Sequence, residues 1–251
     1  MHQFFIEEDT DVGERVTIRN EEAHHLANVL RLRQGDKIVL ARAETGQRFE
    51  AVLEHVEKET SNVRVVSILP SGEPEIKVIL LQGVTKSDKF DFITQKSTEL
   101  GVCTIIPVIM DRSVAKVKPQ KAGKRVERWQ RIAREAAKQC GRARPPKIEE
   151  PKTLQNALSH LPKDIFLIVP WENEQTVSVG GVLKRYHAGQ TVVVIIGPEG
   201  GLTTAEVALV QEHGGYPVSL GQRILRTETA ALAAVTIILH RLGDLGSEKI
   251  D

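Results

Sequence analysis

Aromatic residues make up only 4% of this 251-residue chain, and its two cysteines, Cys103 and Cys140, have no CxxC spacing. So few cysteines exclude a disulfide framework and a cysteine-rich zinc site, and they point to a reduced, cytoplasmic setting. No apolar run approaches the ~18 residues that a membrane-spanning helix requires. The opening residues, MHQFFIEED, carry neither a basic lead nor a long apolar stretch and do not read as a signal peptide. The eight histidines are scattered, and adjacent His24 and His25 cannot chelate as an i,i+4 pair would, so no metal site is expected. Neither the dinucleotide motif GxGxxG nor the phosphate loop GxxxxGK(S/T) occurs. Gly83-Val84-Thr85-Lys86-Ser87 has the Lys-Ser pair without the preceding glycine. The GxSxG nucleophile turn is missing too.

What is present begins with an uneven charge. The net charge is only +1, yet residues 112–147 hold thirteen Lys and Arg against two acids, Glu127 and Glu135. The rest of the chain holds 21 bases against 31 acids. Two carboxylates cannot neutralise thirteen cations, so this segment reads as a surface for a polyanion. With few aromatics, docking by shape and phosphate charge is expected to outweigh base stacking.

Hydrophobic residues make up 41% of the chain, enough for one large domain or two smaller ones. Residues 37–43, 48–56 and 62–69 alternate apolar and polar, and short strands are expected at 3–6 and 15–18. Asn20 is a candidate cap for a short helix with Ala23, Leu26, Ala27 and Leu30 on one face. Together these predict a small barrel with Arg31, Arg33, Arg42 and Arg48 on its surface. Pro70-Ser71-Gly72-Glu73-Pro74 marks a boundary, giving domains at 1–70 and 71–251. Beyond it, strands at 76–81, 102–109 and 164–169 alternate with helices at 90–100, 121–140, 153–161 and 177–187, as in an α/β sheet.

Residues 191–244 organise this second part. The β-branched run at 192–196 reads as a buried strand that stops at Gly197-Pro198-Glu199-Gly200-Gly201. Glycines so dense belong in a loop with unusual dihedrals or a bare backbone. Thr203 and Glu206 have capping-box spacing for a helix ending near His213. A short strand at 217–220 precedes Gly221. Thr227 is a candidate N-cap for the last helix, with Glu228 in its first turn. Two glycine-bearing loops after two strand ends favour a ligand site at the carboxyl edge of the sheet.

The residues at this site also carry a resemblance. GPEGGLTTAE at 197–206 and LGQRILRTETA at 220–230 resemble the cofactor signatures of SPOUT-class methyltransferases. More narrowly they resemble the family of ribosomal RNA small-subunit methyltransferase E, whose members methylate N3 of a uridine in 16S ribosomal RNA. Residues 25–36, 95–102 and 135–146 share the likeness, so it spans nearly the whole chain. His2 and Gln3 stand where many relatives carry an arginine. The resemblance implies an α/β fold: an N-terminal PUA-like β-barrel at 1–70 and a SPOUT-type domain at 71–251, with a trefoil knot at about 165–244. It implies S-adenosyl-L-methionine as cofactor, held by Val169, Pro170, Gly197, Glu199, Gly200, Gly201, Leu220, Gly221, Ile224 and Leu225. It also implies a homodimer acting on 16S ribosomal RNA or the small subunit, with no metal and no membrane.

Methylating N3 of uracil requires loss of the imide proton. Arg226 is the candidate for stabilising the resulting charge, and Glu199 and Glu228 for taking the proton or facing the sulfonium. Glu228 read alone serves equally well as a helix-dipole carboxylate. Arg31, Arg33, Lys86, Lys96, Arg112, Arg134, Arg142 and Arg144 are the candidate RNA contacts; a solvated rim is the competing reading for the arginines of the first domain. Two other functions stand beside the enzyme: a non-catalytic RNA-binding assembly protein, and an enzyme using 197–201 as an anion nest.

Overall fold

The computed structural model describes residues 1–114 and 119–246. The chain forms two compact units, 1–73 with 137–145, and 74–136 with 146–251. Segment 137–145, assigned by sequence to the second domain, instead belongs to the first, where Ala137 packs with Phe5 and Ala41.

The first unit is a curled five-stranded sheet: β1 (Gln3–Ile6), β2 (Arg15–Arg19), β3 (Lys37–Arg42), β4 (Gln47–Val56) and β5 (Thr60–Leu69) in the order β1-β3-β4-β5-β2. The expected barrel is therefore a curled sheet with β1 and β2 at opposite ends of its hydrogen-bonded order. β1 runs parallel to β3 and the other pairs are antiparallel. Period-two patterning sends Phe49, Ala51 and Leu53 inward onto Phe4, Ile38 and Leu40. Helix α1 (Asn20–His24) continues into a π-helical turn, His25–Val29, which buries Leu26. Asn20 does not cap it. Its φ is +54°, a conformation asparagine tolerates, and its N–H donates to Glu59 O at 3.0 Å.

The second unit is a parallel sheet of β6 (Val78–Gly83), β7 (Thr104–Ile109), β8 (Lys147–Ile148), β9 (Lys152–Thr153), β10 (Ile165–Pro170), β11 (Thr191–Ile196) and β12 (Tyr216–Val218). Its order is β12-β10-β11-β6-β7-β8, with β9 also on β7. The central strands are continuous apolar runs because both faces are covered. Val78, Leu80, Val192 and Val194 face one layer, built from α2 (Ser87–Leu100), α3 (Pro119–Cys140), α5 (Val179–Val182) and α7 (Thr227–Leu242). Ile79, Leu81, Val193 and Ile195 face the other, built from α4 (Leu154–Ser159) and α6 (Thr204–Glu212). Phe90 and Trp129 join α2 to α3 with ring centroids 4.2 Å apart.

Most helix ends follow local chemistry. Gly101, at φ +115°, stops α2, Gly141, at φ +79°, follows α3, and Thr203 with Glu206 forms a complete capping box on α6. The helix expected over 177–187 shrinks to α5 and one 3-10 turn, Leu183–Arg185. Two glycines at 180 and 181 weaken it, and a bridge between Ser178 and Ser219 claims its start. Among the described residues no helix is long and apolar enough to cross a membrane.

Candidate functional site

All strands of the second sheet are parallel, so the segments after β6, β10, β11 and β12 leave one edge. Those segments hold the predicted residues. Val169 and Pro170 end β10, 197–201 follows β11, and 220–226 follows β12.

The loop after β11 is tightly built. Gly83 must be bare: a Cβ there would lie 2.5 Å from the Pro198 nitrogen. Gly201 has φ +73°, and a Cβ on it would fall on the Glu172 carboxylate. Gly200 lies under Arg112, whose Cβ would be 2.8 Å from an added Cβ. Arg112 Nη1 donates to Gly200 O at 3.1 Å and to Leu202 O at 3.5 Å. Arg112, predicted as an RNA contact, thus also fastens this loop.

The sequence missed Gln82 and misread Thr227. Thr227 does not cap α7. Arg226 is the N-cap residue, without a side-chain cap bond, and Thr227 is the first helical residue. The Thr227 hydroxyl instead donates to Gly197 O at 2.6 Å and accepts from Gln82 Nε2 at 3.0 Å. Gln82 is fully buried and also donates to Gly83 O at 3.1 Å. One hydroxyl therefore ties the end of β6, the glycine loop and the last helix. The apolar strand signal around Gln82 concealed it.

Lys89 shares the family resemblance in sequence but has no role assigned there. Its Nζ lies 3.7 Å from Glu199 Oε1 and 3.8 Å from Glu228 Oε2, between the two predicted carboxylates. The Lys86 N–H donates to Glu199 Oε1 at 3.4 Å. Oε2 of each glutamate is buried and has no hydrogen-bond partner among the described residues. Trp171 Nε1, in the segment after β10, is likewise buried and unpartnered. Glu199 Oε2 and Trp171 Nε1 thus mark polar capacity at the strand edge that the fold itself does not use, whereas Glu228 Oε2 faces Lys89.

The loop after β12 is open. Gly221, Gln222, Arg223 and Arg226 are exposed, and Ile224 is 86% exposed, while Leu220 and Leu225 are half-buried. Its start is anchored by Ser219, whose N–H donates to Val177 O at 2.7 Å and whose carbonyl accepts from Val179 N at 3.2 Å. Glu174 Oε1 in turn accepts from the Thr176 hydroxyl and from the N–H groups of Thr176 and Val177. These bonds, the Thr176 hydroxyl first, hold the Glu174 carboxyl below the ordinary carboxylate range.

The predicted RNA-contacting side chains divide. Arg142 is corrected: it is 4% exposed, its guanidinium is paired with Glu73 at 2.7 Å, and its carbonyl accepts from Gln3 Nε2 at 2.7 Å. It belongs to the core of the first unit, and Gln3 has a structural task there. Arg31, Arg33 and Arg144 are exposed on that unit, with Arg144 Nη2 donating to Thr45 O at 2.6 Å. On the second unit Lys86 and Arg134 are exposed, and Lys96 pairs with Glu99 at 2.8 Å. Lys116 and Lys118 of the basic stretch lie outside the described residues. Among the described residues no three His, Cys, Asp or Glu side chains gather as a metal site would require.

Residues 72–239 match the RNA methyltransferase domain family, and residues 18–66 match the RNA methyltransferase PUA domain family. With a parallel α/β sheet edged by two glycine loops, this defines an RNA methyltransferase of the SPOUT class. The chain is 34% identical over 249 residues to ribosomal RNA small subunit methyltransferase E of Bacillus subtilis, covering 96% of this chain and 97% of the relative. It is 30% identical to the protein of that name in Aquifex aeolicus, covering 96% of this chain and 100% of that one. A crystal structure of ribosomal RNA small subunit methyltransferase E from Neisseria gonorrhoeae, bound to S-adenosyl methionine, superposes with a TM-score of 0.88 at 33% identity, over 97% of this chain and 99% of that chain. The chain belongs to the ribosomal RNA small subunit methyltransferase E family.

Proposed function

We propose that this protein is an S-adenosyl-L-methionine-dependent methyltransferase acting on N3 of a uridine in 16S ribosomal RNA. The observation that carries the reading is the fastened glycine loop at the strand edge, with two carboxylates converging beside it, in a chain that matches a family member over 96% of its length.

The residues fit such a cofactor. Bare backbone at Gly221, where nothing lies within 4 Å of an added Cβ, admits a nucleoside closely, and the unpaired Oε2 of Glu199 suits a sulfonium or a donor N–H. Val169, Pro170, Gly197, Glu199, Gly200, Gly201, Leu220, Gly221, Ile224 and Leu225 would hold it. Val169 would do so through its main chain, since its side chain is buried. When bound, S-adenosyl-L-methionine supplies a methyl carbon already activated by its sulfonium, so the protein supplies alignment more than covalent help. Lys89 holds Glu199 and Glu228 as a fixed pair of acceptors, and the free Oε2 of Glu199 takes the imide proton from N3. Arg226, exposed at the start of α7, stabilises the charge that develops on the base oxygens.

Exposed cations at Arg31, Arg33, Lys86, Arg134 and Arg144, with partly exposed Lys96, serve the RNA backbone. The reading includes a PUA-like domain at 1–70 that also takes in 137–145, a methyltransferase domain formed by the rest of 71–251 with a knot at about 165–244, a homodimer, and action in the cytoplasm. The test is methyl transfer from labelled S-adenosyl-L-methionine to small subunits of a strain lacking this gene, followed by mass mapping. One methyl on N3 of one uridine is expected. Label elsewhere, or none while the cofactor binds, would overturn the target.

A further inference from the structure

We propose that Arg112 couples RNA docking to cofactor binding, with one nitrogen of its guanidinium holding the glycine loop and the opposite edge receiving a backbone phosphate. The inference rests on the proposed function and concerns how its two ligands communicate. Asp111 and Arg112 directly follow β7 and Met110 and lie across the loop. The Asp111 N–H donates to Glu206 Oε1 at 2.9 Å, while Glu206 Oε2 accepts from the Thr203 N–H at 2.8 Å and the Thr203 hydroxyl at 3.0 Å. Glu206 is buried, so this junction fixes the arginine backbone against the start of α6. From there Arg112 covers Gly200 with its stem and its Nη1 binds the Gly200 and Leu202 carbonyls. Gly200 is therefore bare on this side because an arginine stem lies on it.

The rest of the guanidinium is uncommitted. Arg112 is exposed, and among the described residues its Nε and Nη2 have no partner. Arginine carries five donors in a rigid planar fork, so an Nε–Nη2 edge can take a phosphate in bidentate fashion while Nη1 stays on the carbonyls. Arg112 is also the first residue of the basic stretch 112–147, the segment with the strongest excess of positive charge. A phosphate on that edge removes the guanidinium's freedom to leave the loop, which then spends more time in the binding geometry. Lysine, a point charge on a flexible stem, attracts the phosphate but cannot span both partners. By linkage, RNA must then tighten cofactor binding, and cofactor must tighten RNA by the same factor.

The experiment uses S-adenosylhomocysteine as an unreactive cofactor probe, with its affinity measured by equilibrium dialysis in the presence and absence of unmethylated small subunits. Wild type is expected to bind it more tightly with subunits present, on the order of tenfold. R112A and R112K are both expected to bring that ratio close to one, with R112K retaining more of the subunit affinity than R112A. A ratio in R112A equal to wild type, or an R112K that couples as well as wild type, overturns the proposal. If R112A fails to fold, R112K alone decides. Wild type that binds both ligands without coupling sinks the inference and leaves the methyltransferase reading standing; wild type that binds neither sinks both.

Discussion

The two loops at the carboxyl edge are held in opposite ways. The one after β11 is fastened from three sides: by Thr227 on Gly197 O, by Arg112 on the Gly200 and Leu202 carbonyls, and by the Lys86 N–H on Glu199. The one after β12 is anchored only at its start, through Ser219, and presents Ile224 almost fully to solvent. The site thus pairs a preformed wall with an open one. The fixed wall carries Glu199 and is tied through Thr227 to α7, which carries Glu228, so the geometry that governs proton transfer is held. The open wall carries Ile224 and Arg226, which have little to touch until ligands arrive. Rigidity sits where directional chemistry needs it, and openness where entry does.

The sharpest way to break the contrast is at Gly83. An added methyl would meet the Pro198 backbone at 2.5 Å, and backbone cannot swing away as a side-chain tip can. Gly83→Ala is expected to destabilise the protein at the upper end of about 1–3 kcal/mol, as overpacking does. Cofactor binding by calorimetry should vanish even where the circular dichroism spectrum is native. Wild-type affinity in that variant would show that the fixed wall yields easily.

Next comes Thr227→Val, which keeps the shape and removes the hydroxyl. Gly197 O and Gln82 Nε2 each lose a bond in a buried setting, at a cost of about 1–2 kcal/mol. Chemical denaturation should show that loss. Methyl transfer should fall through kcat more than through the KM for RNA, because the loop and α7, which carries Glu228, lose their common tie.

Why Thr227 had to be found in the structure shows what the sequence can convey. Gly197 to Gly201 were legible because glycine density signals backbone constraint in one short window. The Thr203–Glu206 cap was legible because its partners are three residues apart. A Thr before a Glu at a helix start has the same local signature, so Thr227 read as a cap. Its actual partners are 30 and 145 residues away. The same reason conceals Gln82, which hides in an apolar strand, and the role of Lys89, which shows only once two distant glutamates meet it. Arg142 was misread because charge suggests exposure, and only its pairing with Glu73 shows that it is buried. The layers of the second sheet, by contrast, follow from continuous apolar strands and amphipathic helices, patterns that need no distant partner.

On the open wall, Ile224→Ser should leave stability within about 0.5 kcal/mol of wild type, since an 86% exposed side chain supports little of the fold. Cofactor affinity is nevertheless expected to fall about tenfold, as the loss of one well-covered aliphatic contact would produce. Paired thermal melts and calorimetry check this. An unchanged affinity would remove Ile224 from the site, and a large drop in melting temperature would mean that the loop is less open than its exposure indicates.

The smallest effect concerns the anchor of that loop and is read through pH. The Glu174 carboxyl lies below its ordinary value because, when ionised, it accepts from the Thr176 hydroxyl and from the Val177 and Thr176 N–H groups. A carboxylate lowered on folding adds stability above its unfolded value and loses it as pH falls through the folded one. Acidification below the ordinary carboxylate range should therefore slacken the 174–177 turn, and with it the Val177 carbonyl that holds Ser219. The group is exposed, so global unfolding should barely register the change. Hydrogen exchange at the Ser219 N–H should register it: faster than expected at low pH in wild type, already fast near neutrality in Glu174→Ala, and unaltered at Gly201, whose N–H bonds to Pro198 O within the fixed wall. If both amides responded together, the two walls would be one cooperative unit, and the contrast between them would describe contacts alone, without a difference in local stability.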